Sequence, residues 1–173
     1  QEMLTATLQG LIDRFNLHGE RLGDVAAGAV MKHSRDFNLV RECVLSTTLS
    51  PQTPAFDLQQ ACGTGLEAVM LVANKIALGH IDSGIAGGVD TTSDAPIALN
   101  EKMRKILLEA SRAKTTTQRL AAFSAFRPSM LVSPSLPRNG EPRTGLSMGE
   151  HAEQMAQEWK VSREAQDELA LKS

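Results

Sequence analysis

The 173-residue sequence is poor in aromatic residues, with five phenylalanines, one tryptophan and no tyrosine. This scarcity disfavours a surface that stacks against bases or sugars. The formal net charge is only −2, so the whole chain offers no electrostatic argument for nucleic acid, and we predict no nucleic-acid partner. The composition is otherwise that of an ordinary globular protein that can bury a core.

Long apolar runs, a secretory signal and metal-ligand spacings are also missing from the sequence. No stretch approaches the 18 or so apolar residues of a membrane span, and the N-terminus lacks a basic segment followed by an apolar one. The CxxC and HExxH spacings are absent and the four histidines are scattered, which disfavours a metal site. We therefore expect an intracellular protein, cytoplasmic in a bacterium.

There are only two cysteines, and their contexts differ. In a reducing compartment we expect two free thiols rather than a disulfide. Cys43 lies within a helical pattern beside Val40 and Val44, which predicts a buried structural residue. Cys62 lies between a short extended run and a long apolar helix, directly before Gly63. It is either a buried thiol at a helix start or a nucleophile.

The first half of the chain alternates predicted strands with predicted helices. After an initial helix carrying Leu4, Leu8, Leu11, Ile12 and Phe15 on one face, the pattern predicts strands over 23–30, 55–61 and 83–93 and helices over 38–49 and 63–79. The last helix is expected to bury Leu66, Val69, Met70, Ala73, Ile76 and Ala77. Strands separated by helices predict an α/β fold with a mostly parallel sheet. Because both ends fall inside helical patterns, we expect a piece of a larger protein.

The second half begins with a basic segment, residues 101–127, which holds seven Lys or Arg against two Glu. Its apolar spacing predicts two short amphipathic helices. They are either surface helices that cover the core, or a docking site for an acidic partner or a membrane surface. A proline-containing linker follows over 127–145. Two helices then start, one at a capping box of Ser147 and Glu150 and one at the N-cap Ser162.

A helix N-terminus is a site where a thiol becomes nucleophilic, because free backbone N–H groups and the helix dipole stabilise a thiolate. Cys62 occupies such a position. The glycines Gly63 and Gly65 would let a substrate carbonyl approach backbone donors, as an oxyanion hole requires. For a base the sequence offers His151 and Asp90, but a surface histidine and a turn residue are the favoured interpretations, so we expect the base to be missing from this chain.

Three motifs in order resemble the thiolase family: "QQACGTGLEAV", then "SGIAGGVDTTSDAP", then "SMGEHAEQMA". The basic segment and "VSREAQDELALKS" further resemble the thiolase subunits of trifunctional β-oxidation complexes. The resemblance implies the N-terminal half of a thiolase fold over residues 1–93, without its first strand, and much of an inserted loop domain over 94–173. It also implies two similar halves in five αβαβα layers, with a mixed, mostly parallel sheet between helices.

The resemblance implies cleavage of 3-ketoacyl-CoA by free CoA in fatty-acid β-oxidation, with coenzyme A as a substrate and no covalently bound cofactor. Cys62 matches the acyl-accepting cysteine of the family. The backbone N–H groups of Cys62 and Gly63 match the donors of an oxyanion hole. Met148 matches a residue of the acyl and pantetheine region, and Ser147 stands where some members have histidine. A homodimer or tetramer is implied, with a hydratase/dehydrogenase subunit or a membrane surface as a further partner of 101–127.

Family members complete the site with C-terminal Asn-Glu, Gly-His-Pro and Cys-x-Gly motifs, and none of these is found in this sequence. We therefore expect the printed chain to be inactive by itself. Two alternatives stay open at this point. One is a condensing or decarboxylating synthase of the same fold, and the other is a thiolase-like protein that binds acyl-CoA or lipid without catalysis.

Overall fold

The computed structural model describes residues 1–131 and 139–173, which separate into two units, Gln1–Pro96 and Ile97–Ser173. The first unit contains, in chain order, α1 (Glu2–Phe15), β1 (Asp24–Gly28), α2 (Leu39–Leu45), β2 (Ala55–Leu58), α3 (Thr64–Ala77) and β3 (Gly84–Ala86). The second contains α4 (Glu101–Arg112), α5 (Thr116–Phe123), α6 (Met148–Glu158) and α7 (Arg163–Lys172). The assignment of the two ranges to a thiolase half and a loop domain stays a prediction.

The three strands form a parallel sheet in the order β2-β1-β3, as the alternation of strands and helices predicted. Every residue of β1 is buried, which is expected for the central strand of a sheet covered on both faces. In register, Val25 lies beside Ala55 of β2 and Ile85 of β3. The carboxyl ends of all three strands therefore lie at one edge of the sheet, where their following loops meet.

Alternate residues of β1 face the two layers of helices. Val25 and Ala27 belong to the larger core, which is formed with α1 and α2. Ala26 faces the other way and packs with Ala68 and Val72 of α3. The first unit is thus a helix–sheet–helix sandwich, with α3 alone on its face among the described residues.

The buried face predicted for α3 is wrong. Leu66 is 67% exposed and Met70 is 51% exposed, whereas the buried residues of this helix are Thr64, Ala68 and Val72. The helix is apolar on most of its circumference, so the sequence pattern does not single out one face. The face that contacts the sheet is the one with compact side chains at i, i+4 and i+8, because it approaches glycine-containing strands closely.

Several predicted elements end earlier in the structure. The helix predicted to reach residue 49 ends at Leu45, because Ser46 Oγ donates to the Glu42 carbonyl and Thr47 Oγ1 donates to the Val44 carbonyl. The strand predicted over 83–93 covers only Gly84–Ala86, although the pairing with β1 continues through Val89 N–H to the Gly28 carbonyl at 2.9 Å.

The second unit confirms the two amphipathic helices of the basic segment. Helices α4 and α5 pack against each other, and the buried residues among those described in this unit are Ile106 and Ala110. Glu101 forms ion pairs with Arg104 at 2.7 Å and with Lys105 at 3.7 Å. Arg104, through its hydrogen bond and charge, lowers the pKa of the Glu101 carboxyl.

The predicted helix starts after the linker are also confirmed. Ser147 and Glu150 form a reciprocal capping box at the start of α6, and Ser162 Oγ accepts from Ala165 N–H at the start of α7. The middle of the predicted linker, residues 132–138, lies outside the described residues. Within the part that is described, no helix has the length and apolar character needed to cross a membrane.

Candidate active site

Cys62 lies in a tight turn that joins the end of β2 to the start of α3. The turn is closed by backbone hydrogen bonds from Gly63 N–H to the Gln60 carbonyl at 2.9 Å and from Thr64 N–H to the Ala61 carbonyl at 3.2 Å. Cys62 is an exposed free thiol, so the interpretation as a buried thiol at a helix start is wrong. A substrate can therefore reach the Cys62 sulfur, and the sulfur can attack it.

Cys43 is the opposite case. It is fully buried in α2, and its Sγ lies 3.4 Å from the Gln1 carbonyl. Burial raises the pKa of the Cys43 thiol, which keeps it protonated and unreactive at neutral pH. The structural role predicted for this residue is confirmed, and the two cysteines are both free.

Thr64 holds the cysteine turn in place. Its side chain is buried, and its Oγ1 accepts from Gln60 N–H at 2.9 Å and donates to the Ala61 carbonyl at 2.6 Å. Its methyl group packs against β1, since a Cβ added to Gly28 would lie 2.8 Å from Thr64 Cγ2. The hydroxyl therefore ties together the two residues that precede Cys62, while the methyl group anchors the turn to the central strand.

 Ala61 has a positive φ of 44°, a left-handed conformation that residues with a Cβ rarely adopt. Such a conformation costs on the order of 1–3 kcal/mol and persists only where the surrounding contacts impose it. Here the Thr64 hydroxyl and the two backbone hydrogen bonds of the turn impose it, and Cys62 is exposed.

Unpaired backbone donors lie in the first turn of α3, directly after Cys62. Among the described residues, the N–H groups of Gly65 and Leu66 form no hydrogen bond. An added Cβ on Gly65 would meet no atom within 4 Å, so this side of the turn is open to a ligand. Free N–H groups at the first turn of a helix, together with the helix dipole, stabilise negative charge on a thiolate or on the oxyanion of a tetrahedral intermediate.

The loops that follow β1 and β3 reach the same edge of the sheet. Asp90, after β3, accepts hydrogen bonds from Val30 N–H at 2.8 Å and Met31 N–H at 2.9 Å. The Val30 carbonyl accepts from Gln59 Nε2 at 3.0 Å, and Gln59 comes directly after β2. The loops after all three strands are thus joined beside the cysteine turn.

No base accompanies Cys62 in the part of the chain that the structure describes, because no side chain there forms a hydrogen bond with its sulfur. Asp90 is occupied by backbone N–H groups, which agrees with its interpretation as a turn residue. His151 lies in the second unit, with Nε2 at 3.2 Å from Thr144 Oγ1 and 3.6 Å from a Glu141 carboxylate oxygen. The described residues also contain no group of three or more metal ligands.

The comparison with protein families decides the relationship. The model of the thiolase N-terminal domain matches residues 1–173. This chain belongs to the thiolase family. The family predicted from the three motifs is therefore confirmed.

Individual thiolases agree with this assignment. The 3-ketoacyl-CoA thiolase of Erwinia tasmaniensis is 39% identical over 163 residues, which is 94% of this chain and 37% of that protein. The 3-ketoacyl-CoA thiolase of Klebsiella pneumoniae is 38% identical over the same lengths. The chain therefore spans little more than a third of the curated relatives it matches.

A solved structure supports the fold. The Bacillus anthracis acetyl-CoA acetyltransferase matches with a TM-score of 0.69 and 24% identity, covering 95% of this chain and 37% of that chain. At this identity the likeness concerns the fold alone. It agrees with the predicted thiolase fold and its parallel sheet between helices.

Two further predicted site residues of this thiolase domain lie in the second unit. Ser147 is the N-cap of α6, where its Oγ accepts from Glu150 N–H, and Met148 is the first residue of that helix and is 65% exposed. Gly63, the predicted oxyanion neighbour, precedes α3 in the first unit, where an added Cβ would lie 3.3 Å from the Gln60 carbonyl. The roles of these three residues stay predictions.

Sequence reasoning missed the residues that shape the cysteine turn. Thr64 was visible as a threonine at a helix start, a position where such side chains bond to the nearby backbone. The left-handed Ala61 carried no signal, since alanine gives no indication of a positive φ. The double acceptor role of Asp90 depends on contacts 59 and 60 residues away in sequence, which no local pattern reports.

Proposed function

We propose that the complete protein cleaves a 3-ketoacyl-CoA with free CoA, giving acetyl-CoA and a shortened acyl-CoA, and that Cys62 carries the acyl group between the two halves of the reaction. The observation that carries this proposal is the exposed Cys62 thiol beside free N–H groups at the start of α3. Membership of the thiolase family and the names of the relatives support it.

In the first half of the reaction, the Cys62 thiolate attacks the C3 carbonyl carbon and forms a C–S bond. The oxygen takes up the negative charge, which the N–H of Cys62 and its neighbours would stabilise. Collapse of this intermediate breaks the C2–C3 bond, and the electron pair goes to C2 of the departing acetyl-CoA, which takes a proton from an acid. Cys62 is left as an acyl thioester.

In the second half, the thiol of a free CoA gives its proton to a base and attacks the thioester carbonyl. The bond between the acyl group and Cys62 breaks, and the thiolate of Cys62 is restored. The resemblance assigns proton transfer to a Gly-His-Pro histidine and a Cys-x-Gly cysteine. Neither motif occurs in these 173 residues, so we propose that the complete protein supplies them.

Substrate binding is proposed to involve the start of α6. Met148 exposes its side chain there, and the resemblance places it in the acyl and pantetheine region. Ser147 is occupied by its capping interaction with Glu150, so its contribution to substrate binding would come from its position rather than from a free hydroxyl. Coenzyme A is a substrate in this scheme and not a resident cofactor.

The test is a thiolysis assay on the complete protein, following loss of a 3-ketoacyl-CoA and formation of acetyl-CoA. Replacing Cys62 by Ser should reduce turnover by at least about 10³-fold, since it removes the nucleophile. The control Cys43→Ala should retain activity within a few fold. Mass spectrometry should find the acyl group on the peptide that contains Cys62.

The alternatives give different results in the same experiment. A condensing synthase would join acyl units without cleaving a 3-ketoacyl-CoA. A non-catalytic relative would bind acyl-CoA, form no acyl-cysteine and show no turnover. Full thiolysis by Cys62→Ser would refute the proposal directly.

We further propose a role in fatty-acid β-oxidation inside the cell and assembly as a homodimer or tetramer, which light scattering of the complete protein would measure. The basic segment is proposed to dock either a hydratase/dehydrogenase subunit or an anionic membrane surface. Helix α4 supports this proposal, because Leu108 is partly exposed on the same face as Arg104, Lys105 and Arg112. An apolar side chain among basic ones suits an anionic membrane surface or an acidic partner.

The docking proposal is tested by charge reversal. Changing Lys102, Arg104 and Lys105 to Glu should weaken complex assembly or binding to anionic liposomes. A matched control reverses three cations of the same unit outside the segment, which are Lys160, Arg163 and Lys172. If the first variant assembles and binds liposomes as the parent does, neither form of docking is correct.

A further inference from the structure

Asp90 uses both carboxylate oxygens to hold a neighbouring loop. Its Oδ2 accepts from Val30 N–H at 2.8 Å and its Oδ1 accepts from Met31 N–H at 2.9 Å. Val30 and Met31 follow β1, and Asp90 follows β3, so the carboxylate joins the loops after two adjacent strands. Only a side chain with two acceptor oxygens satisfies both N–H groups in this way.

The loop that Asp90 holds is in turn bonded to the segment that leads to the nucleophile. Gln59 Nε2 donates to the Val30 carbonyl at 3.0 Å. Gln59 immediately precedes Gln60, whose N–H and carbonyl both take part in the cysteine turn. A continuous series of hydrogen bonds therefore runs from Asp90 through Val30 to the turn that presents Cys62.

A close backbone approach lies beside this series. A Cβ added to Gly88 would lie 3.1 Å from the Gly28 carbonyl oxygen and 3.9 Å from Gly65 Cα. The chain leaving β3 thus passes directly against the first turn of α3, where the unpaired N–H groups lie. Asp90, two residues further on, fixes the direction of this passage.

We propose that Asp90 is a positioning residue for the Cys62 site, which acts through the Val30–Met31 loop and Gln59 and does not itself exchange a proton with substrate. The expected effect on kcat rests on the proposed acyl-transfer function. Its structural consequence, an ordered cysteine turn, is independent of that function. Displacements of about 1 Å at a reacting group can reduce a rate by about 10²-fold, so loss of this anchor should affect catalysis more than binding.

The experiment compares Asp90→Asn and Asp90→Ala in the complete protein with Asp94→Asn as a matched control. Asp94 lies on the same segment and carries the same charge, but its exposed carboxylate contacts Arg35 and His33 at the surface. Asp90→Asn retains one acceptor oxygen and Asp90→Ala retains none. Three quantities are measured: hydrogen exchange of the Val30 and Met31 amides, the pH profile of iodoacetamide alkylation of Cys62, and kcat and KM for thiolysis.

We expect Asp90→Ala to lower kcat by 10-fold to 10²-fold, with KM changed by less than about 3-fold, and Asp90→Asn to fall between it and the parent. Amide exchange should accelerate at Val30 and Met31, and Cys62 alkylation should slow. Asp94→Asn should match the parent. The proposal is overturned if, in Asp90→Asn, the Val30 and Met31 amides exchange faster while the rate of Cys62 alkylation and kcat stay equal to those of the parent. That result would show a purely structural role for Asp90.

The two proposals fail in different ways. A parent protein that alkylates readily at Cys62 but shows no thiolysis contradicts the proposed function, while the exchange and alkylation data still test Asp90. Should Asp90→Ala fail to fold, Asp90→Asn provides the same comparison with a smaller change.

Discussion

Replacing Thr64 by Val should disorder the cysteine turn while leaving the surrounding core intact. Valine keeps the methyl group that packs against Gly28 and removes only the hydroxyl. Two hydrogen bonds are lost, from Gln60 N–H at 2.9 Å and to the Ala61 carbonyl at 2.6 Å. At about 0.5–1.5 kcal/mol each, their loss lowers the free energy of unfolding by about 1–3 kcal/mol.

This loss is comparable to the strain that the hydroxyl restrains. The left-handed Ala61 costs on the order of 1–3 kcal/mol. Without the two side-chain bonds, only the backbone bonds of Gly63 N–H and Thr64 N–H oppose this strain, so the bent turn should be less populated. Cys62 should then leave the N–H groups at the start of α3. We expect slower alkylation of Cys62 by iodoacetamide per folded molecule and a 10-fold to 10²-fold lower kcat in thiolysis.

Thr53→Val is the matched control. Thr53 is also buried, and its Oγ1 accepts from Leu22 N–H at 3.2 Å, but it lies two residues before β2, at the opposite end of that strand from Cys62. Both variants should unfold at lower temperature, by roughly 2–4 °C per kcal/mol for a domain of this size. Only Thr64→Val should alter the chemistry of Cys62.

A double variant separates strain from hydrogen bonding. Glycine adopts a positive φ without the penalty of a Cβ, so Ala61→Gly should reduce the cost of Thr64→Val. The reasoning is refuted if Thr64→Val and Thr53→Val lose equal stability and Cys62 reacts equally fast in both.

Three further results are expected. A thiol reagent should label Cys62 in the native protein and Cys43 only on unfolding, because Cys43 is buried and burial raises the pKa of its thiol. Rapid labelling of both cysteines in the native protein would contradict this. Gly28→Ala should prevent native pairing of β1 with β2, because its Cβ would lie 1.9 Å from a β2 carbonyl oxygen; a native circular-dichroism spectrum would contradict it. Hydrogen bonds from Ser147 lower the pKa of the Glu150 carboxyl, so the stability that this carboxylate contributes to α6 is present above about pH 4.5 and is lost as the pH falls through the lowered pKa. Helix content measured by circular dichroism should therefore fall with acid in the parent, and the part of this fall that is due to Glu150 should be absent in Glu150→Gln.

The sequence pattern predicted the strand and helix alternation well because it depends on local properties. The buried run Asp24–Gly28, the amphipathic α4 and the capping box at Ser147 each carry their signal within a few residues. The cysteine position was predicted for the same reason, since Cys62 stands directly between a strand and a helix. Such features need no knowledge of the rest of the chain.

Features set by distant contacts were not predictable in this way. The contact face of α3 follows from glycines on β1 and β3, which admit Ala68 and Val72 close to the strands. The apolar circumference of that helix left Leu66 and Met70 as equally good candidates, and they are exposed. Close packing against another element, which is a tertiary property, selected between the faces.

By itself, the sequence determined the family, the position of the candidate nucleophile and the class of fold, because local periodicity and short motifs carry that information. Tertiary structure alone decided how Cys62, the proposed nucleophile, is held. The bend at Ala61, the anchoring by Thr64 and the series of bonds from Asp90 through Val30 to Gln59 join residues that are far apart in the chain or that have no local signature. Their physical basis is the pairing of backbone N–H and carbonyl groups where three strands end together.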